Sequence, residues 1–198
     1  MNASMMQQPL LISTLLTHAE RHHGEQEIVS RRVEGDIHRT TYRELAARSR
    51  RLANALAALG VAHGNRVATL AWNGYRHMEL YYAVSGSGAV LHTLNPRLHP
   101  DQLAWIANDA GDELLCFDLG FLPLVESLAP ALTTVEHFVL MSDRAHMPAA
   151  TTLPGLKCYE DLLGAEYGMP HALTWNIGTT GRTTSRAEHL SESGSAAA

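Results

Sequence analysis

Apolar positions follow two rhythms along this chain, a helical spacing of three to four residues and short continuous runs, and their alternation predicts the architecture. Leu11, Leu15 and Ala19 recur at a spacing of four, which predicts one side of a helix ending near Gly24. Residues 27–40 read as two short strands joined by a turn at Glu34-Gly35-Asp36. From Thr41 to Gly60 the pattern predicts a long amphipathic helix. Thr41 and Glu44 form a capping box at its start, Leu45, Leu52, Leu56 and Leu59 face inward, and the arginines lie on the wet side. The runs at 66–71, 89–94, 113–117 and 135–141 are strand candidates, separated by helical segments within 73–88, 100–110 and 121–130. Pro100 starts the middle one, with Leu103, Ile106 and Ala110 along its buried side. Strands alternating with helices predict an α/β fold with a mostly parallel sheet covered by crossover helices. Uncovered apolar side chains are expected on the outer helices of residues 41–141.

Beyond Ser142 the rhythm weakens. Residues 143–155 read as a proline-containing surface loop, 157–165 as a short helix, and 171–177 as a strand leading into a glycine-threonine loop. The last residues, "SESGSAAA", have little to bury. No repeat or shift of composition marks a second domain. With 198 residues, 45% of them hydrophobic, the chain can hold one substantial core. Fifteen basic and twenty acidic residues give a net charge of -5, and Lys157 is the sole lysine. No basic tract exists to bind nucleic acid or an anionic membrane. The apolar run "PLLISTLL" is too short to span a bilayer and lacks a charged leader, so no transmembrane segment is expected. Cys116 and Cys158 lack CxxC spacing and read as reduced structural thiols of a cytoplasmic protein.

Gly178-Thr179-Thr180-Gly181 combines two permissive backbone positions with two hydroxyls, a composition that can curl around a phosphate or make an ordinary turn. Arg182 follows, so the loop is not the Gly-Lys-Ser/Thr type. Trp72, Asn73 and His77 follow a strand at the edge where parallel sheets bind ligands, which invites a pocket reading, but packing and turn capping are the favoured account of them. Arg97, in "LNPRLHP", is expected to tie down neighbouring backbone or carboxylates rather than touch substrate. Among twelve histidines, His77, His92 and His99 lack a metal-ligand spacing. "SGSG" at Ser85–Gly88 follows a helix and so reads as its exit, and no G-x-S-x-G elbow supports a serine nucleophile.

The stretch "RVATLAWNGYRHMELYYAVSGSGAVLHTLNPRLHPDQLAWIANDA", flanked by "TYRELAARSRRLANALAALG", "TTVEHFVLM" and "GTTG" in that order, resembles the amino-terminal portion of adenylate-forming acyl-CoA synthetases, particularly fatty-acid-CoA ligases. The resemblance covers residues 9–181 and implies an incomplete large domain, with 182–198 a divergent tail expected to be disordered. It implies that ATP activates a fatty acid as an acyl-adenylate before transfer to coenzyme A, with Mg2+ accompanying the nucleotide. The residues matching the family's phosphate loop are Thr174, Gly178, Thr179, Thr180 and Gly181. Asn176 and Ile177 stand where the family has Thr and Ser, and Arg182 to Arg186 departs from the family's proline-lysine-glycine continuation. No residue here matches the family's metal-coordinating acid or its adenylation lysine. The expectation is therefore a synthetase by family that is inactive as this chain alone, with self-association or a complementing fragment as partner. The alternative is a non-catalytic interaction module.

Overall fold

The computed structural model of the chain describes residues 11–165. Helix α1 spans Ile12–His23, strands β1 and β2 span Glu27–Arg31 and Ile37–Thr41, and helix α2 spans Tyr42–Ala58. Then come β3 (Arg66–Leu70), α3 (Tyr75–Gly86), β4 (Val90–Thr93), α4 (Pro100–Ala110), β5 (Leu114–Phe117), α5 (Leu122–Leu128), β6 (His137–Leu140), β7 (Lys157–Cys158) and α6 (Tyr159–Gly164). β1 and β2 pair antiparallel as the sequence predicts, with Gly35 at φ 105° in their turn. The other five strands form one parallel sheet in the order β4-β3-β5-β6-β7.

Strand alternation divides the core in two, because successive side chains point to opposite faces. Val67, Leu114, Cys116, Val139 and Met141 pack on one face under α2, α3 and α6. Ala68, Leu70, Leu115, Phe117, Phe138 and Leu140 pack on the other under α4 and α5. With both faces covered, β5 is buried along its whole length, which is why its sequence is a continuous apolar run. A smaller cluster of Leu16, Leu45 and Ala46 joins α1 to α2.

The Thr41/Glu44 capping box forms as the sequence predicts, and Gly111 ends α4 in the left-handed conformation at φ 68°. Three expectations need correction. α1 buries Ser13 and Leu16, while Leu15 is exposed, since the helix turns its Leu16 side toward α2. On α4 the buried residues are Leu103, Ala104 and Ala107, with Ile106 and Ala110 only half-buried. Residues 157–165 are not one helix, because Lys157 and Cys158 pair with Val139 and Leu140 at the sheet edge before α6 begins.

Candidate functional site

Numbered along the chain, the sheet strands run 2-1-3-4-5, so the chain reverses its winding between β3 and β5 and opens a crevice beyond their carboxyl ends. Asp118, just past β5, spans it. Its N–H donates to the Leu70 carbonyl at 3.1 Å, and its Oδ2 accepts the Trp72 N–H at 2.6 Å. The side chain is buried, and burial pushes its carboxyl up to about 6 against the opposing pull of the Trp72 N–H and the Arg76 charge. His77 is held by the Thr69 hydroxyl at Nε2, 3.1 Å, and by the Trp72 carbonyl at Nδ1, 3.3 Å. A carbonyl only accepts, so Nδ1 carries the proton and the Thr69 hydroxyl donates to Nε2. Burial lowers the His77 pKa, so the ring is a neutral brace for the turn after β3.

Below the crevice lies a buried network that sequence reasoning missed. Arg76 donates through Nη1 to Glu34 at 2.7 Å and to the Met141 carbonyl at 3.0 Å, and through Nε to Glu160 at 2.9 Å. Glu79, fully buried, accepts from Arg48 at 2.5 Å and from the Tyr159 hydroxyl at 2.7 Å. Burial raises the Glu79 pKa against those bonds. Burial also acts to raise Glu160, but the Arg48 charge and bonds from Arg76, Arg48 and Tyr75 prevail, and its pKa falls. Arg48 therefore does not sit on the wet side of α2, because two carboxylates draw it between α3 and α6. The signal available in sequence was Arg76 and Glu79, charged residues one turn apart in a segment where apolar side chains occur on every side.

Thr174, Gly178, Thr179, Thr180 and Gly181 lie outside the described residues, as does the tail 182–198 and the expected strand at 171–177. The crevice brings Trp72, Asn73 and His77 together, with Trp72 exposed and tilted against Phe121. Arg97 is exposed, and among the described residues its side chain holds no hydrogen bond or ion pair; the turn is instead closed by Asn95 Oδ1 accepting the Arg97 N–H. The expected tie-down by Arg97 is thus replaced by the asparagine's own local bond. His92 pairs with buried Asp112 at 2.8 Å, and His99 caps α4. Ser85–Gly88 is the exit of α3, with Gly88 at φ 81°. Cys116 and Cys158 are free and buried. Glu34, Asp143 and His146 lie together, yet Glu34 pairs with Arg76, and Asp143 pairs with both Arg32 and His146. Two guanidiniums beside those carboxylates oppose a cation there. Among the described residues, no helix is long and apolar enough to cross a membrane.

A doubly wound parallel sheet with a polar crevice at its switch point places the molecule among α/β ligand-binding domains. The chain belongs to the AMP-binding enzyme family, whose model matches residues 15–182. It is 51% identical over 163 residues to the 3-methylmercaptopropionyl-CoA ligase of Ruegeria lacuscaerulensis, a match covering 82% of this chain and 30% of that protein. It is 48% identical over 164 residues to the long-chain-fatty-acid–CoA ligase of Thermus thermophilus, covering 83% of this chain and 29% of that one. The chain thus spans about a third of the length of these relatives. Among solved structures, an anthranilate CoA ligase, AuaEII, in complex with anthranoyl-AMP shares the fold with TM-score 0.66 at 22% identity, covering 79% of this chain and 29% of that one. The N-terminal domain of FACL13 from Mycobacterium tuberculosis matches with TM-score 0.63 at 21% identity, covering 83% and 38%.

Proposed function

We propose that this chain supplies the amino-terminal portion of an ATP-dependent acid–thiol ligase acting on an aliphatic carboxylic acid. The observation that carries it is the 51% identity to an acid–CoA ligase over 82% of this chain. Relatives named for 3-methylmercaptopropionyl, long-chain and medium-chain acyl groups match at 51%, 48% and 43%, so the substrate class is the aliphatic acid rather than one chain length. In the proposed reaction a carboxylate oxygen attacks the α-phosphorus of ATP, pyrophosphate leaves, and the thiol of coenzyme A then attacks the acyl carbon and displaces AMP. Such steps depend on alignment and on donors aimed at developing charge. Thr174, Gly178, Thr179, Thr180 and Gly181 are proposed as the phosphate contacts, within a unit of residues 9–181 that the tail 182–198 follows.

The Arg48–Glu79–Glu160 network supports this reading by fixing α6, from which the chain proceeds to that loop. Magnesium prefers an all-oxygen set. The described acidic cluster includes a histidine and is paired with arginines, so the metal is proposed to arrive with the nucleotide.

A chimera tests the proposal. Residues 15–182 would replace the matching part of the 51%-identical ligase, and ATP-dependent acyl-CoA formation would be followed by mass spectrometry. Activity within about tenfold of the parent is expected. A folded but inactive chimera would count against the assignment. The isolated chain is expected to make no acyl-CoA, because it matches only about a third of its relatives' length.

A further inference from the structure

In the carboxyl-terminal half of α1, three histidines share a small patch of surface. His18 and His22 stand four residues apart, one helical turn, and the sequence holds no other histidine pair at that spacing. Their ring centroids are 4.6 Å apart, and the His23 ring lies 5.8 Å from that of His18. All three residues are exposed. Among the described residues their ring nitrogens hold no hydrogen bond or ion pair, unlike those of His77, His92, His99 and His146.

Basic residues suit the last turn of a helix, whose carbonyls carry partial negative charge, and Arg21, His22 and His23 occupy that turn. This accounts for basic character at the helix end, but not for a histidine one turn earlier with its ring against that of His22. A neutral imidazole is a good ligand for late first-row divalent metals, with about 2 Å between nitrogen and ion. Two rings that ligate one ion must therefore stand nearly in contact, as His18 and His22 do. The charges around the patch leave room for a cation. Glu20 pairs with Arg50 and Glu25 with Arg43, while Arg21 is exposed, where water screens its charge. The three-residue cluster of Glu34, Asp143 and His146 is a separate one, and no third side chain closes on His18 and His22 as tightly as its members close on one another.

From the spacing, the ring contact and the free ring nitrogens, we infer that His18 and His22 chelate one divalent late transition-metal ion, of the class of Zn2+, Ni2+ and Cu2+, with water in the remaining positions. Two histidines one turn apart on one helix face are a recurrent way to hold such an ion. The bound ion ties the last two turns of α1 together and adds positive charge at the end of the helix that favours it. It differs in kind from the magnesium that accompanies a nucleotide, which takes oxygen ligands. The site does not depend on the ligase reading, and its test uses no turnover.

The test is a titration of the dilute 198-residue chain with zinc, nickel and copper chlorides at neutral pH, followed by calorimetry, and by backbone amide NMR with Cu2+ as a paramagnetic probe. A saturable step of one ion per chain is expected, tighter for Cu2+ than for Ni2+ or Zn2+. Broadening by substoichiometric Cu2+ should be strongest around His18 and His22, and excess Mg2+ should not displace the ion. His18→Gln and His22→Gln should each weaken this step at least about tenfold, because each leaves a single imidazole of the pair. Both positions are exposed, so the metal-free variants should melt with the parent. Saturating Zn2+ should raise the melting temperature of the parent but not of His18→Gln. Unchanged affinity in either folded variant, broadening centred elsewhere, displacement by Mg2+, or a stoichiometry of one ion per two chains would each overturn the chelate.

Discussion

Asp118 and Glu160 are two carboxyl groups that burial raises alike but whose pKa values move oppositely, because the guanidinium partners of Glu160 outweigh its burial. The Asp118 carboxyl is raised from 3.8 to about 6, so the folded chain holds this proton more tightly than the unfolded chain does. Its stabilising contribution is present below pH 4 and is lost as pH rises through 6. A shift of roughly two units at 1.36 kcal/mol each predicts that Asp118→Asn, which can still accept from Trp72, stabilises the chain above pH 7 by up to about 3 kcal/mol. Below pH 4 the variant should match the parent; urea denaturation at both ends of the range checks this. Glu160 runs the other way. Its lowered pKa means a contribution present above the ordinary glutamate range and lost as pH falls through and below it, so Glu160→Gln should flatten the acid limb of the stability profile. Glu79→Ala removes the buried acceptor shared by Arg48 and the Tyr159 hydroxyl, leaving Arg48 with Glu160 and the hydroxyl with the Arg76 carbonyl, and should cost about 2 kcal/mol, read from the denaturation midpoint. None of these three roles is visible in a sequence, where an aspartate after a strand and a glutamate in a helix look like surface residues.

Among the elements, α2 was the most legible because its start, stripe and stop signals agree. The Thr41 hydroxyl accepts the Glu44 N–H and the Glu44 carboxylate accepts the Thr41 N–H, 2.9 Å, so each side chain satisfies a backbone donor of the other. Thr41→Ala should cost about 1 kcal/mol, measured by thermal melting, while leaving Leu45, Leu52 and Leu56 packed. α1 was less legible, since leucines at both 15 and 16 admit two faces and only contact with α2 selects Leu16. The two-residue β7 was invisible for a different reason. No period can be read in Lys157-Cys158, and what makes it a strand is the free edge of β6 beside it.

At the scale of the whole molecule, several large apolar side chains among the described residues are exposed. Ile12 and Leu15 of α1 and Tyr81 of α3 are exposed beside Met78 and Tyr82, and Trp105 of α4 is exposed elsewhere. A contiguous apolar surface of this kind favours association. The isolated chain is expected to self-associate as its concentration rises, and light scattering across a dilution series checks it. Leu15→Glu should shift the distribution toward monomer without lowering the melting temperature, because Leu15 packs on nothing in the core clusters.

The sequence by itself determined the order of strands and helices from residue 66 to 141, the hairpin before them, and the family, because these depend on local periodicity, turn chemistry and a long ordered pattern of residues. Tertiary structure alone decided which strands are neighbours. β4 leaves β3 on one side and β5 returns on the other, a choice set by how α3 and α4 cover opposite faces. That reversal opens the crevice that Asp118 spans, and packing of α2 against both α3 and α6 brings Arg48, Glu79 and Glu160 together from positions as far as 112 residues apart. A charge is read locally in a sequence, but its partner is a fact of three-dimensional packing, and the partner is what sets its energy.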